Sequence, residues 1–434
     1  MNDIDETIKQ ELAADGSNSG VEEELYDPCQ FDSEKISISP RRISLSNVIK
    51  RSQSGLIHAA DLQRRVDLWD IGKKSRLIES LMLKIPLPFF YAAENRDDQL
   101  FIVDGLQRLS AIRGYVLDKN YKLKSLEFLK NLENKYFDEI PEYMQIRINE
   151  TELDFAVIGP DSTPGVQRNI FKRLNTGGLP LTEQEIRHAL YFGPVTELLA
   201  RLADSNEFQK AVDNSVNDSR MAAQELILRF LSFTIMDVGE YRKDNEMDSF
   251  LSDAMQILNE LIKPDFYSRH GMSLSYKRNY STISLEEMEQ RFFTAMTRAE
   301  ELFENCAFRI TTPEKNKAVN RRSPINRSLF ELWSVVLSNM SKPAFETLKR
   351  NKMRLFNELD KEFYALHSPL RNYIGKDSQK IIGVRGRYSI IHSFIQKANQ
   401  LRVVTLPDKT VDDQNTAQER RRVVIVKKTG SKKF

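Results

Sequence analysis

Asp104, Gly105 and Arg108 lie together in the stretch Gln99-Leu-Phe-Ile-Val-Asp-Gly-Leu-Gln-Arg-Leu-Ser-Ala-Ile112. A carboxylate, a glycine and a guanidinium at this spacing suit phosphate chemistry. Gly105 lets an anion approach the backbone closely, because no Cβ stands in the way. Arg108, one helical turn on, presents a planar fork of donors. Asp104 could accept a ribose hydroxyl, position a metal or orient water. The same residues also fit an ordinary Asp-Gly turn followed by an exposed helix charge.

The elements that must hold these groups follow from the apolar pattern. Leu100, Phe101, Ile102 and Val103 form a run of the length of a buried strand. Leu106, Leu109 and Ile112 then recur at helical spacing. A strand that turns through glycine into a helix directs the first helix amides at whatever lies beyond the strand end, where phosphate is a common guest. Upstream, Lys73 to Lys84 reads as an amphipathic helix with Leu77, Ile78, Leu81, Met82 and Ile85 on one face, ended by Pro86. Pro88 to Ala93 reads as a strand, and a turn at Asn95 to Asp98 makes it a β-hairpin with the run after Gln99. The predicted order over residues 75–112 is helix, hairpin, helix.

Farther out, Arg64 and Arg65 stand near Trp69, a pairing of cations with a stacking plane. Leu153 to Ile158 reads as a strand. Val166, Ile170, Phe171 and Leu174 mark a helix stopped at Asn175-Thr-Gly-Gly178. Thr182-Glu-Gln-Glu185 is a capping box that starts a helix bearing Arg187 and His188; His188 reads as a packing residue. After Gly193 helical patterns take over, at 195–212, 219–236, 247–263, 284–307, 326–341, 343–366 and 387–400. The fold class expected is α+β, an N-terminal α/β domain followed by a mostly α-helical one. The divisions expected are a disordered acidic leader over 1–38, a nucleotide-binding domain over 39–193, a helical domain over 194–401 and a basic tail over 402–434. Residues 311–325 read as a basic, solvated loop.

Composition narrows the function classes. The chain has 434 residues, is 40% hydrophobic and carries a net charge of +2, so a globally basic nucleic-acid binder is not indicated. Cys29 and Cys306 are too far apart for a metal pair, and a reducing compartment fits them. No apolar run has membrane-spanning length, and the acidic start has no signal-peptide character; a cytoplasmic protein with no membrane contact is expected. There is no GxxxxGK[ST] loop, no His-Glu-x-x-His pair and no Gly-x-Ser-x-Gly elbow. The five histidines are scattered. The tail from Arg420, with Lys427, Lys428, Lys432 and Lys433, is the densest basic stretch and reads either as a DNA contact or as a solubilising tail.

Three ordered motifs resemble a known family. Arg76 to Pro88 followed by Asp104-Gly-Leu-Gln-Arg108 is similar to the N-terminal domain of GmrSD-type restriction endonucleases, in the ParB/sulfiredoxin-like superfamily. That family's signature is Asp-Gly-Gln-Gln-Arg, from which this chain departs only at Leu106. Phe171 to Arg187 resembles the second motif, an Asn-Gly loop and a Gln-Glu-x-Arg helix. Gln63-Arg64 to Trp69 resembles the first motif, with looser spacing. The resemblance extends over roughly residues 40–265 and implies a ParB-like fold that binds and hydrolyses a nucleoside triphosphate with a divalent cation, Mg2+. It implies recognition or restriction of foreign or modified DNA, in phage defence. By this reading Arg108, Gly105 and Gln107 hold phosphates, and Asp104 positions metal, ribose or water. Asn175, Glu185 and Arg187 complete the pocket, and Arg64 or Arg65 closes it. No HNH-type nuclease module is recognisable, so a separate nuclease subunit, duplex DNA and a second copy of the chain are the candidate partners. The alternative is a non-enzymatic DNA-binding or regulatory adaptor that retains the fold. A third option is a nuclease built on the Asp104 region itself.

Overall fold

The computed structural model describes residues 10–12, 18–22, 38–58, 69–94, 98–159, 182–241, 247–266, 280–319, 323–365 and 367–399. Arg64, Arg65, Asn175, the helix expected at 166–174 and the basic tail lie outside the described residues.

Seven strands are described: β1 (Gln10–Leu12), β2 (Asn18–Glu22), β3 (Ile38–Ser44), β4 (Ile57–His58), β5 (Phe90–Glu94), β6 (Leu100–Asp104) and β7 (Glu152–Ile158). The last five make one mixed sheet in the order β3-β7-β5-β6-β4. β5 and β6 are the expected antiparallel hairpin, while β4 runs parallel to β6 and β5 runs parallel to β7. Helices α1 (Leu45–Gln53), α2 (Ile71–Met82), α3 (Leu106–Val116) and α4 (Glu142–Glu150) cover one face of the sheet. Their apolar stripes meet Phe90, Ile102, Phe155 and Val157 there. α2 starts where Asp70 accepts from the Lys73 amide at 2.9 Å. Leu77, Ile78, Leu81 and Met82 are buried as the pattern predicts, but Ile85 lies beyond the helix and is 48% exposed.

The second face carries a smaller core of Ala93, Phe101, Val103 and Ile158. It is closed by α5 (Glu183–Leu190), which sets Ile186 against these residues. α5 begins at the predicted capping box: Thr182 Oγ1 accepts from the Glu185 amide, and the Glu185 carboxylate accepts from the Thr182 amide.

The remaining helices are α6 (Pro194–Ala203), α7 (Asn206–Ala211), α8 (Ala222–Ile235), α9 (Met247–Ile262), α10 (Leu285–Phe303), α11 (Pro313–Val319), α12 (Arg327–Asn339), α13 (Lys342–Arg350), α14 (Lys352–Tyr364), α15 (Pro369–Ile374) and α16 (Ile381–Asn399). All but α11 contribute described residues to one large apolar core with α8 at its centre. Two predicted helices are each split. Asp204 closes α6 and Ser205 caps α7, accepting from Phe208; Asn351 separates α13 from α14. The stretch expected as a basic loop contains α11, which Pro313 starts and Thr312 anchors by donating to Asp360 at 2.9 Å.

Part of the segment expected as a disordered leader is ordered. β2 lies against the helical core with Val21 fully buried. The Glu22 amide donates to Ile325 O at 2.8 Å, and the Ile325 amide donates to Gly20 O at 2.9 Å. Backbone bonds need no apolar sequence, so an acidic, serine-rich composition conceals them. Among the described residues no helix is long and apolar enough to cross a membrane.

Candidate functional site

The turn between β6 and α3 has the geometry read from its residues. β6 ends at Asp104, Gly105 takes φ +95°, and α3 begins at Leu106. A left-handed residue here favours glycine. Packing demands it as well, since a Cβ on Gly105 would sit 2.4 Å from Phe90 Cδ1. No side chain caps the start of α3. The helix therefore presents the positive end of its dipole at the edge of the sheet.

Arg108 is more engaged than its spacing suggests. Its guanidinium donates to the backbone carbonyls of Pro88 and Phe89, the latter at 2.9 Å, and to Asp104 Oδ2 at 3.3 Å. It lies over the Phe90 ring at 4.4 Å and is 12% exposed. Burial lowers its pKa, partly offset by the Asp104 charge. Arg108 thus ties the chain entering β5 to the turn leaving β6. It is not the exposed phosphate fork expected from sequence, because three of its donor bonds are already made within the fold. The Asp104 side chain remains 39% exposed. Gln107 lies in the first turn of α3 and is partly exposed.

β4 and β6 are parallel, so both point their C-terminal ends at this edge. His58 pairs with Phe101, so Asp104 stands three residues, roughly 10 Å, farther along the adjacent strand. His58 stacks on Phe101 at 4.6 Å and meets Phe192 at 4.8 Å. Trp69 is partly buried, and Lys73 lies over its ring at 4.4 Å.

The other two described candidates do not join Asp104. Glu185 is 1% exposed, closes the capping box and faces the Arg220 guanidinium at 3.5 Å. Arg187 is fully buried and pairs with Asp248 at 2.6 Å and with Glu225 at 3.9 Å, both from the helical part. α5 explains the separation. Its Ile186 points at the sheet, and its neighbour Arg187 points the other way, into the helical core. Phe90 is the site residue that sequence reasoning missed. It reads only as an apolar strand position, with no sign that Gly105 and Arg108 close on its ring. Among the described residues no group of three or more His, Cys, Asp or Glu side chains is arranged to hold a metal. A single exposed carboxylate suits Mg2+, which keeps its waters and is bound through one or two carboxylates plus phosphate oxygens.

Residues 45–192 match the family model described as GmrSD restriction endonuclease, N-terminal domain. These residues are similar to the GmrSD N-terminal domain. The match covers about a third of the chain. It spans the sheet from β4 to β7, the turn at Asp104 and the whole of α5, and so ends where the helical core begins. No curated protein and no solved structure matches the chain.

Proposed function

We propose that the GmrSD N-terminal domain of this chain binds and hydrolyses a nucleoside triphosphate with Mg2+, and that this turnover serves restriction of foreign or modified DNA. The observation that carries the reading is the start of α3, uncapped by any side chain, beside half-exposed Asp104 at the end of a central strand. Helix N-termini favour phosphate through free amides and dipole together. In this reading the amides after Gly105 hold phosphate oxygens, and Asp104 holds the cation. Arg108 keeps the turn in shape, with its remaining donors facing the ligand. The family description supports the restriction setting.

Equilibrium binding of ATP and GTP with Mg2+, alongside phosphate release, tests the proposal. Asp104→Asn is expected to retain nucleotide affinity within a few-fold and to end turnover, because a carboxylate near phosphates repels them unless a cation intervenes. Wild-type turnover by Asp104→Asn would overturn the catalytic part. A second reading is an adaptor without turnover, favoured by the engagement of Arg108 with the Pro88 and Phe89 carbonyls. Nucleotide binding with no phosphate release, with or without duplex DNA, would select it.

A further inference from the structure

α3 carries the chain away from the turn at Asp104, about 16 Å over its eleven residues. The segment that follows bears Lys122, Lys124 and Lys135, and it meets the first turns of α2, which bear Lys73 and Lys74. Hydrogen bonds fix this meeting. The Lys124 amide donates to Ser75 Oγ at 2.9 Å, the Leu123 amide to Lys135 O at 3.2 Å and the Asn134 amide to Leu123 O at 2.8 Å. Three of the five ammonium groups are seated on aromatic rings. Lys73 lies over Trp69 at 4.4 Å, Lys74 over Tyr121 at 5.7 Å and Lys122 over Tyr136 at 4.8 Å.

A ring holds an ammonium group in place and leaves its charge intact. A carboxylate would offset that charge, and in the helical part the surface lysines are so offset. Lys349 pairs with Glu301, Lys352 with Glu304, Lys380 with Asp377, and both Lys361 and Lys397 with Glu358. Among the described residues no carboxylate lies within 4.0 Å of Lys73, Lys122, Lys124 or Lys135, whereas Arg76 and Lys119 nearby pair with Glu127 and Asp138. Counted in full, residues 70–79 and 119–139 hold eight Lys and Arg against six Asp and Glu, a surplus equal to the net +2 of the whole chain. One of the six, Glu79, is buried and turned onto three amides. The two ion pairs balance, so six lysines remain at the surface against Asp70, Glu133 and Glu139.

We infer that this surface binds the phosphate backbone of a nucleic-acid duplex. Lysines are compact cations that meet phosphates without reading sequence. A duplex suits them better than a single strand, because bases bind by stacking on rings and three rings here already carry ammonium groups. The inference gives the DNA of the proposed function a place to bind. It is independent of nucleotide turnover, since none of these lysines belongs to the turn at Asp104.

Fluorescence anisotropy with the full chain and a short labelled duplex, over a series of salt concentrations, tests it. The triple variant Lys73→Ala/Lys122→Ala/Lys124→Ala should weaken binding by about tenfold or more. It should also lower the slope of log affinity against log salt by about 3, for three lost phosphate contacts. The control Lys349→Ala/Lys352→Ala/Lys361→Ala removes the same charge from the helical part and should change neither quantity. Lys124→Glu alone, at an exposed position, should weaken binding by about threefold or more with the thermal unfolding midpoint unmoved. ATP affinity should stay the same in all these variants, which separates a failure here from a failure at Asp104. No duplex binding, unchanged duplex affinity in the Lys73/Lys122/Lys124 variant, or equal losses in the two triple variants would overturn the inference. Tighter binding of a single strand or of a Glu-rich peptide than of the duplex would overturn it as well.

Discussion

Gly105 is the residue on which the candidate site depends most directly. Its φ of +95° and the approach of Phe90 act together, because the ring lies where a Cβ would be. Phe90 is fully buried under the sheet helices and cannot swing aside. Gly105→Ala is therefore expected to destabilise the fold by about 1–3 kcal/mol, the usual cost of a strained backbone position, and urea unfolding measures it. Arg108→Ala removes the donor to the carbonyls of Pro88 and Phe89, both on exposed residues that water can reach, at a cost of about 0.5–1.5 kcal/mol per bond. Asp104→Asn should leave the unfolding midpoint nearly unchanged, since its carboxylate is half-exposed and, among the described residues, meets only Arg108. A stability loss in Asp104→Asn as large as that in Arg108→Ala would make the carboxylate a structural residue. The spacing from Asp104 to Arg108 was legible in the sequence. The engagement of Arg108 was not, because the hairpin brings Pro88 and Phe89 to it from twenty residues upstream.

At the scale of elements, local pattern served well wherever one face alone was buried. The hairpin, the Asp-Gly turn, the capping box at Thr182 and most helices in the second half follow from apolar period and turn chemistry. The pattern failed where backbone bonds or a long-range partner decided the outcome. β2 is fastened by amide–carbonyl bonds to Ile325, and α11 by Thr312 reaching Asp360. Glu79 on α2 is a further case. In sequence it is one glutamate among the polar positions of an amphipathic helix, yet it is 3% exposed. Its carboxylate accepts from the amides of Glu127, Phe128 and Leu129 at 2.9, 2.7 and 2.7 Å. Burial pushes its pKa up, but the three amides outweigh burial and the net shift is downward from 4.5. A carboxylate whose pKa is lower when folded contributes its full stability above its unfolded value and loses it as pH falls through the folded one. Acidification below pH 4.5 should thus destabilise the wild type more than Glu79→Gln. Above that range Glu79→Gln should cost about 1–3 kcal/mol, because an amide can oppose one of the three donors. Parallel acid titrations of the two unfolding midpoints would sink the idea.

Across the whole molecule, a chain of buried charges joins the region that matches the GmrSD N-terminal domain to the helical core. Arg187 on α5 meets Asp248 on α9 and Glu225 on α8. Glu225 also meets Arg229 at 3.1 Å and Arg327 at 3.3 Å. Glu331 on α12 takes Arg387 of α16 at 2.7 Å. Each of these residues is at most 4% exposed. Taking so many ions out of water is costly, so the chain adds less net stability than its short distances suggest. The chain of charges reaches α5, whose other side packs on Phe101 and Val103 just before Asp104. Removing one member exposes the cost of the rest. Arg187→Met keeps the unbranched stem of the side chain but withdraws the cation from two carboxylates. A broken buried pair typically costs about 3–5 kcal/mol. Removing the facing carboxylate as well, in Arg187→Met/Asp248→Leu, should recover part of that loss, because Glu225 keeps Arg229 and Arg327. Urea unfolding of the wild type, both single variants and the double variant closes the cycle. If the two single losses simply add in the double variant, Arg187 and Asp248 do not act as a pair, and α5 is held to the helical core by its apolar contacts alone.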